Sequence, residues 1–380
     1  MGLLRTYLFE KHNILKAKLV PFAGWEMPIQ YTGIIDEVNV VRKSAGIFDV
    51  SHMGRIEITG DDAGKFLEKI LTVSVTKMDI GFAKYCFILN ENAGIIDDVV
   101  IYRISDDKYL MVCNASNKDP VVSWLSGLIK SFNDISLLDL TLETVMIALQ
   151  GPSAFKILNA VLNDSNMHSD FLSNLDLFEF CNYNFTFENG DSGYSGYSQI
   201  SLISRTGYTG ENGFEIIVPN GIGLRIWDQL HNYGALPCGL GSRDVLRLEA
   251  GLRLHGNDID QTSNPFQAGL KRFVDMENSS FIGHEELLLQ NEKGIYKHLV
   301  GFRMLDKAIP RKGYLIMDSD KNIIGEVTSG SHSPTLELDI GMGYIMGSRP
   351  RIEDDIILHG RGRNFNARVT KIPFYRRSLN

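Results

Sequence analysis

The alternation of apolar and polar positions changes period several times along the chain, and each change predicts an element. Residues 3–11 read as a short helix, and residues 18–22 as a strand running into an aromatic loop, Ala23-Gly24-Trp25-Glu26-Met27-Pro28. Ile35, Val38 and Val41 fall at helical spacing in a segment over 34–45, which Gly46 ends. Residues 47–50 and 55–59 are short strands. Asp61 or Asp62 can then cap a helix whose apolar face is Phe66, Leu67 and Ile70.

From Ala83 the period becomes two. Residues 84–89 and 95–103 read as strands joined by the turn Asn90-Glu91-Asn92-Ala93-Gly94, with a third strand over 108–113. A helix with Pro120 in its first turn spans 119–131, strands follow at 135–140 and 144–150, and Gly151-Pro152-Ser153 opens a helix to about Leu162. The pattern fails from Asn163 to about Gly196. It resumes as strands over 199–205 and 213–218 and helices over 222–233 and 242–252. Beyond residue 290 nearly everything reads as strand: 298–304, 314–317, 323–328, 340–345, 355–358 and 364–372. That run predicts a separate all-β domain, a barrel or a jelly roll. The fold class is therefore α+β with a C-terminal β module, and 380 residues suffice for two or three domains.

Composition narrows the function classes. Hydrophobic residues make up 44% and charged residues 22%, as in ordinary globular proteins. A formal net charge of -8 argues against a nucleic-acid partner, which needs a basic field. No apolar run approaches the roughly 18 residues of a membrane span. Arg5, Glu10, Lys11 and His12 interrupt the N-terminal segment, so it lacks a signal-peptide core, and a cytoplasmic protein is expected. Cys86, Cys113, Cys181 and Cys238 are scattered without C-x-x-C spacing, which suits buried reduced thiols better than zinc or disulfides.

Familiar catalytic patterns are missing. Gly60-Asp61-Asp62-Ala63-Gly64-Lys65 is one residue short of a phosphate loop, and Gly239-Leu240-Gly241 lacks the third glycine of a dinucleotide fingerprint. Four clusters remain. In Gly94-Ile95-Ile96-Asp97-Asp98-Val99-Val100 two carboxylates interrupt an apolar strand. Alternation sets Asp98 on the face of Ile96 and Val100, and Asp97 on that of Ile95 and Val99. One of them must point into a core or cavity, where it needs a salt bridge or a function. In Arg205-Thr206-Gly207-Tyr208-Thr209-Gly210-Glu211-Asn212-Gly213-Phe214-Glu215 three glycines make a tight path before Glu215. A strand carboxylate there suits a paired N–H/NH2 edge, or else simply faces water. Arg243 opens a helix, at the dipole end that disfavours a cation, so it either reaches an acceptor elsewhere or lies on the surface. Arg247 can pair with Asp244 one turn back on the helix surface. The fourth cluster is the aromatic loop with Phe48-Asp49-Val50-Ser51-His52-Met53-Gly54.

In this order the clusters resemble the glycine cleavage T-protein family. The resemblance rests on FAGWEMPIQY (22–31), FDVSHMG (48–54), GIIDDV (94–99), Asn114-Ala115, LQGP (149–152), TGYTGENGFE (206–215), RDVLRLEAG (243–251), GNDI (256–259), Thr328-Ser329-Gly330 and Pro373-Phe374-Tyr375-Arg376. It spans nearly the whole chain. One position departs, His255, where the family usually has tyrosine.

The resemblance implies a three-domain cloverleaf with antiparallel sheets flanked by helices and a C-terminal β-barrel. Residues 1–50 plus about 151–280 would form a discontinuous folate-binding domain, 51–150 an α+β ferredoxin-like domain, and 290–380 the barrel. It implies tetrahydrofolate as cofactor and the lipoylated H-protein of the glycine cleavage system as partner. The implied reaction moves the methylene group of S-aminomethyl-dihydrolipoyl H-protein to tetrahydrofolate, releasing ammonia and 5,10-methylenetetrahydrofolate. Glu215 matches the carboxylate that holds the pterin and Arg243 its cationic companion. Tyr85, Asn114, Tyr208 and Arg376 match pocket positions, and Asp98 matches the catalytic acidic residue. No metal is implied. Two rivals share the fold: a folate-dependent demethylase of a sulfonium or N-methyl compound, and a non-enzymatic folate-binding iron–sulfur assembly protein. The second has a cysteine motif where this chain has Phe281-Ile282-Gly283-His284-Glu285.

Overall fold

Helix α1 (Phe9–Ile14) precedes the hairpin of β1 (Lys18–Phe22) and β2 (Trp25–Gln30), then α2 (Ile34–Lys43) and β3 (Gly46–Asp49). A second unit follows: β4 (Gly54–Thr59), α3 (Ala63–Ile70), β5 (Ala83–Leu89), β6 (Ile95–Arg103), β7 (Lys108–Cys113), α4 (Lys118–Leu128) and β8 (Ser136–Asp139). The chain returns with β9 (Thr144–Gln150), α5 (Ala154–Asp164), β10 (Phe180–Asn182), β11 (Leu202–Ser204), β12 (Gly213–Pro219), α6 (Asn220–Asn232), β13 (Leu236–Pro237) and α7 (Leu240–Glu249). Helix α8 (His284–Glu292) leads to β14 (Lys297–Met304), β15 (Leu315–Met317), β16 (Ile323–Ser333), β17 (Leu338–Met346), β18 (Asp355–Gly360) and β19 (Arg363–Thr370). This computed structural model describes residues 2–164, 170–185 and 200–378; part of the irregular stretch expected over 163–196, and the start of the strand expected at 199, lie outside them.

The strands form two larger sheets, of order β10-β11-β12-β9-β3-β13 and β5-β6-β7-β4-β8, and a closed barrel β14-β17-β16-β15-β18-β19. Strand β9 pairs with both β3 and β12, so the first sheet is re-entered at Thr144 rather than at residue 151. Its outer face is buried under α5 and α6 by Ile147, Leu149, Leu158, Ile216, Ile226 and Trp227. The second sheet buries Ile58, Val99, Ile101 and Met111 against α3 and α4 through Phe66, Leu67, Val121 and Leu125. Between the two sheets lies a third cluster, with Phe48, Met146, Ala148, Leu202 and Ile217 meeting Val100, Tyr102, Leu110 and Val112. Each fully buried aliphatic or Phe side chain there contributes roughly 1.5–3 kcal/mol of transfer free energy.

Alternation places the site. Glu215 shares the face of Ile217 on β12, and Asp98 that of Val100 and Tyr102 on β6. Both carboxylates therefore enter the space between the sheets.

Several expectations need correction. The aromatic loop is a strand: Ala23 and Gly24, with φ of 49° and 82°, make a tight turn that pairs β2 with β1. Leu4 is tied to Trp25 in an isolated bridge, so α1 starts at Phe9 instead of residue 3. Helix α7 begins at Leu240, two residues earlier than expected, with Arg243 still in its first turn. Helix α8 was not foreseen; three consecutive leucines in HEELLLQNE blur the helical period, and only His284 and Leu287 are buried. Cys181 is half-buried, unlike the other three cysteines.

Candidate active site

Asp98 sits near the middle of β6, opposite Phe87 of β5, and Tyr85 lies two residues along on the same face. Tyr85 Oη donates to Asp98 Oδ2 at 2.9 Å. Asn114, the residue after β7, donates through Nδ2 to Asp98 Oδ1 and to Asp97 Oδ1, both at 2.8 Å. Its backbone N–H adds a bond to Asp97 Oδ2 at 3.0 Å. Amides thus stand where a salt bridge was one of the two readings: among the described residues neither carboxylate has a cationic partner within ion-pair distance. Asp97 is fully buried, whereas Asp98 keeps partial access to solvent. A bulge opposite Ile88 and Leu89 makes Ile96 an extra residue. Ile96 thus joins Val99 and Ile101 in the core under α3 and α4, and does not share the face of Asp98.

Burial pushes the carboxyl of Asp98 above the ordinary aspartate range, against the opposing effects of His255, Tyr85 and Asn114. Burial, then the charge of Asp98 beside it, pushes Asp97 up as well. A carboxyl raised above its ordinary range and fixed by two donors is a stronger base than an exposed aspartate. Burial, followed by Asp98, also raises the Tyr85 phenol. Tyr85 packs edge-on against Phe87 and Phe273, with ring centroids 5.3 and 4.9 Å away.

Glu215 comes from the other sheet. The glycines before it are explained by Gln150 at the end of β9. A Cβ at Gly207 would lie 2.0 Å from Gln150 Oε1, and one at Gly213 would lie 2.4 Å from Gln150 Nε2. The loop thus wraps the Gln150 amide, which donates to the Thr206 carbonyl at 3.1 Å and accepts from Thr209 Oγ1 at 2.8 Å. This wrap fixes the approach to β12. Glu215 is 7% exposed and accepts from Thr206 Oγ1 at 2.5 Å through Oε2, with no bond to Oε1 from the described residues.

Arg243 faces inward, so the surface reading of this residue is set aside. Its guanidinium lies 4.9 Å from the centroid of the Tyr208 ring. Burial lowers its pKa, and the charges of Glu215 and Tyr208 oppose that shift. Among the described residues its Nη1 is buried without a hydrogen-bond partner, as are Tyr102 Oη and His52 Nδ1. Arg243 and Tyr102 both feel the charge of Glu215, and His52 feels that of Arg243. Burial lowers the His52 pKa to about 4, with Asp49 opposing and Arg243 adding to the shift. Tyr208 joins the two halves: its hydroxyl donates to the Arg253 carbonyl, and its ring lies under Arg243 within reach of the Asp98 charge.

Six of the seven sequence candidates thus converge: Asp98, Tyr85, Asn114, Tyr208, Glu215 and Arg243. Arg376 does not reach the cluster. It is exposed and bonds to none of the described residues, although its neighbour Tyr375 donates its N–H to the Glu249 carbonyl at 2.8 Å. The surface pair proposed for Arg247 is also corrected. Arg247 is 1% exposed and binds Asp258 Oδ2 at 2.6 Å and Ser329 Oγ at 2.9 Å in addition to Asp244. Tyr102 and Asn117 were missed, and His52 was read only as part of the fourth cluster. Tyr102 could have been found, because period two from Asp98 places it on the same face.

A buried cation and a phenol left unpaired beside a carboxylate with a free oxygen fit a planar ligand bearing both donors and acceptors. Two grooves of about 430 and 440 Å³ lie elsewhere, around Gln261 and Asn291 and around Ser280 and Glu285; none of the seven candidates lines them. Among the described residues no His, Cys, Asp and Glu group could hold a metal, and no helix is long and apolar enough to cross a membrane.

Comparison with known proteins bears on this cluster. The model of the GCVT N-terminal domain matches residues 8–278, and that of the glycine cleavage T-protein C-terminal barrel domain matches residues 297–376. An aminomethyltransferase of Thermosipho melanesiensis is 42% identical over 98% of both chains. One of Halothermothrix orenii is 41% identical over 97% of this chain and 99% of its own. The crystal structure of glycine cleavage system aminomethyltransferase T from Bartonella henselae superposes with a TM-score of 0.87 at 33% identity, covering 98% of each chain.

Proposed function

Since the chain belongs to the glycine cleavage T-protein family, we propose that the central cluster is its tetrahydrofolate site and that the lipoylated H-protein delivers its substrate. The activity itself is the aminomethyl transfer of glycine cleavage. The observation that supports the folate reading is the unpaired Arg243 Nη1 and Tyr102 Oη beside the free oxygen of Glu215. Glu215 accepts the paired N–H donors of the pterin edge, and Arg243 and Tyr102 donate to its acceptors. Bound there, tetrahydrofolate supplies the nitrogen that takes up the one-carbon unit. Asp98 stabilises the cationic character that develops as ammonia leaves and holds a proton at its carboxylate. Tyr85 and Asn114 keep that carboxylate in one orientation. Tyr208 bridges the two ends, and Arg376, outside the cluster, has no assigned role in this reading.

The same reading assigns residues 1–50 and about 151–280 to the folate-binding domain, 51–150 to a ferredoxin-like domain and 290–380 to the barrel domain, with β9 moved into the first. A cytoplasmic location goes with it. No observation favours the demethylase or the iron–sulfur assembly reading.

The test is a reconstituted assay with aminomethylated H-protein, scoring ammonia and methylenetetrahydrofolate with and without tetrahydrofolate. Ammonia release that neither depends on added folate nor yields methylenetetrahydrofolate would remove folate from the site.

A further inference from the structure

Behind the Asp97–Asp98 pair lies a contact that the catalytic reading leaves unexplained. Asn117 Nδ2 is 2.7 Å from Asp97 Oδ1, 2.8 Å from His255 Nδ1 and 3.2 Å from the Ile96 carbonyl. His255 Nε2 faces the Ile95 carbonyl at 3.3 Å. A carbonyl only accepts, so Nε2 carries a proton. The amide nitrogen also donates, so Nδ1 must be the bare lone pair. The two hydrogens of Asn117 are then shared among an imidazole, a carboxylate and, at longer distance, the Ile96 carbonyl. This arrangement holds only while His255 is neutral.

We propose that His255 is a positioning residue for aminomethyl transfer, coupled through the Asn117 amide to the protonation of Asp97. The proposal rests on the reading of Asp98 as the catalytic carboxylate. If His255 gains a second proton, Nδ1–H confronts the Asn117 donors at 2.8 Å. The amide must turn and present Oδ1 to the imidazolium. The turn gives up the long bond to the Ile96 carbonyl, that oxygen faces Asp97 Oδ1, and the two acceptors repel unless Asp97 also takes a proton and donates to it. One state is therefore imidazole, amide nitrogen, carboxylate. The other is imidazolium, amide oxygen, carboxylic acid, and it contains two more protons. The burial that raises Asp97 makes its half of the exchange accessible. Asn114 passes the change on, because its Nδ2 bridges Asp97 and Asp98.

Other charged groups surround the loop. Asp258 is held by Arg247 at 2.6 Å, and Asp260 accepts from Thr262 with Lys297 nearby. Lys312 reaches from the barrel to the Gly256 carbonyl at 2.6 Å, and Arg253 is bonded to the Ala268 carbonyl. Among the described residues Asp97 is thus bonded only by the amides of Asn114 and Asn117, whereas Asp98 also has the Tyr85 hydroxyl.

The test uses the full chain with aminomethylated H-protein and tetrahydrofolate. Single-turnover transfer is measured against pH, each variant normalised to its own plateau. In the parent the acid limb should approach a two-proton slope. His255→Gln supplies a non-titrating acceptor to Asn117, so its slope should fall to one and its limb should extend to lower pH. A merely structural His255 would lower the plateau and leave the limb in place, and that result overturns the proposal. Long-range nitrogen NMR of the unsubstituted chain, at plateau pH, gives a second readout: His255 should carry its proton on Nε2, and a proton on Nδ1 overturns the proposal even if the variant does not fold. Failure of the Asp98 reading looks different, because Asp98→Asn would then keep the plateau rate.

Discussion

At the scale of single residues, the two aspartates differ by one position and by their surroundings. Asp98 faces the space between the sheets with partial solvent access, and Asp97 is sealed among amides. Asp98→Asn keeps the shape and removes both charge and basicity, so kcat should fall roughly 10²-fold or more with folate affinity little changed. Asp97→Asn should cost less, yet it should not be silent, because its new amide nitrogen would face the donors of Asn114 and Asn117. Single-turnover transfer and calorimetric folate titration on both variants decide the order; a crippled Asp97→Asn beside a near-normal Asp98→Asn would invert the assignment. Among the described residues Glu215 has only Thr206, on one oxygen, which leaves the other free for the proposed ligand. Glu215→Gln sets a donor against donors and should weaken folate at least tenfold without unfolding the chain, since a hydrogen bond to a charged group is worth roughly 1.5–3 kcal/mol. Unchanged affinity would take Glu215 out of the site. Arg243→Lys keeps the charge but loses the planar fork, and should weaken binding or turnover measurably.

At the scale of elements, what the sequence made legible follows the strength of its periodicity. Strands β5 to β7 and the barrel strands alternate cleanly and could be read, and alternation alone put Asp98 and Glu215 on strand faces. The turn at Ala23 and Gly24 was illegible because a positive φ at alanine is not a usual turn signal. The bulge at Ile96 was illegible because register depends on the partner strand. The roles of Asn117 and His52 were illegible for a related reason: they come from the contact with His255 and the charge of Arg243, far away in sequence. Helix α1 is another long-range case. His12 Nε2 bonds Asp49 Oδ2 at 2.8 Å, Thr6 Oγ1 donates to the same oxygen at 2.6 Å, and Tyr31 Oη meets His12 Nδ1 at 2.8 Å. Burial alone would raise Asp49, but the bond and charge of His12, with Ser51 and Thr6, outweigh it and lower the carboxyl to about 2. A depressed carboxyl stabilises the fold above its unfolded pKa, and that contribution is lost as pH falls through the folded value. Asp49→Asn should therefore cost on the order of 2–3 kcal/mol at pH 7, with the gap to the parent roughly halved at pH 3. Urea melts at the two pH values measure it; a gap independent of pH would mean that packing, not charge, pins α1.

At the scale of the whole molecule, α7 is the part shared by site and barrel. Its first turn carries Arg243, whose guanidinium lies over the Tyr208 ring. Its last turn holds the barrel: Arg247 binds Asp258 and Ser329, Thr328 Oγ1 donates to Asp258 Oδ1 at 2.5 Å, and Glu249 accepts from Ser333 Oγ at 2.6 Å and Thr335 Oγ1 at 2.9 Å. Arg42 of α2 closes the network, 2.6 Å from Glu249 and 2.8 Å from Glu211. Apolar contact is modest by comparison, with Leu248 meeting Leu299, Ile340, Met342 and Tyr344. The barrel is thus fixed by buried charges, whose removal one partner at a time is costly. Arg247→Met leaves Asp258 buried without its cation and should destabilise by roughly 3–5 kcal/mol. Because the same helix carries Arg243, the variant should also bind tetrahydrofolate more weakly, although Arg247 belongs to the barrel contact. Calorimetric melting with a parallel folate titration tests both halves. A variant that melts early yet binds folate as the parent does would show that the barrel stabilises α7 without setting the position of Arg243.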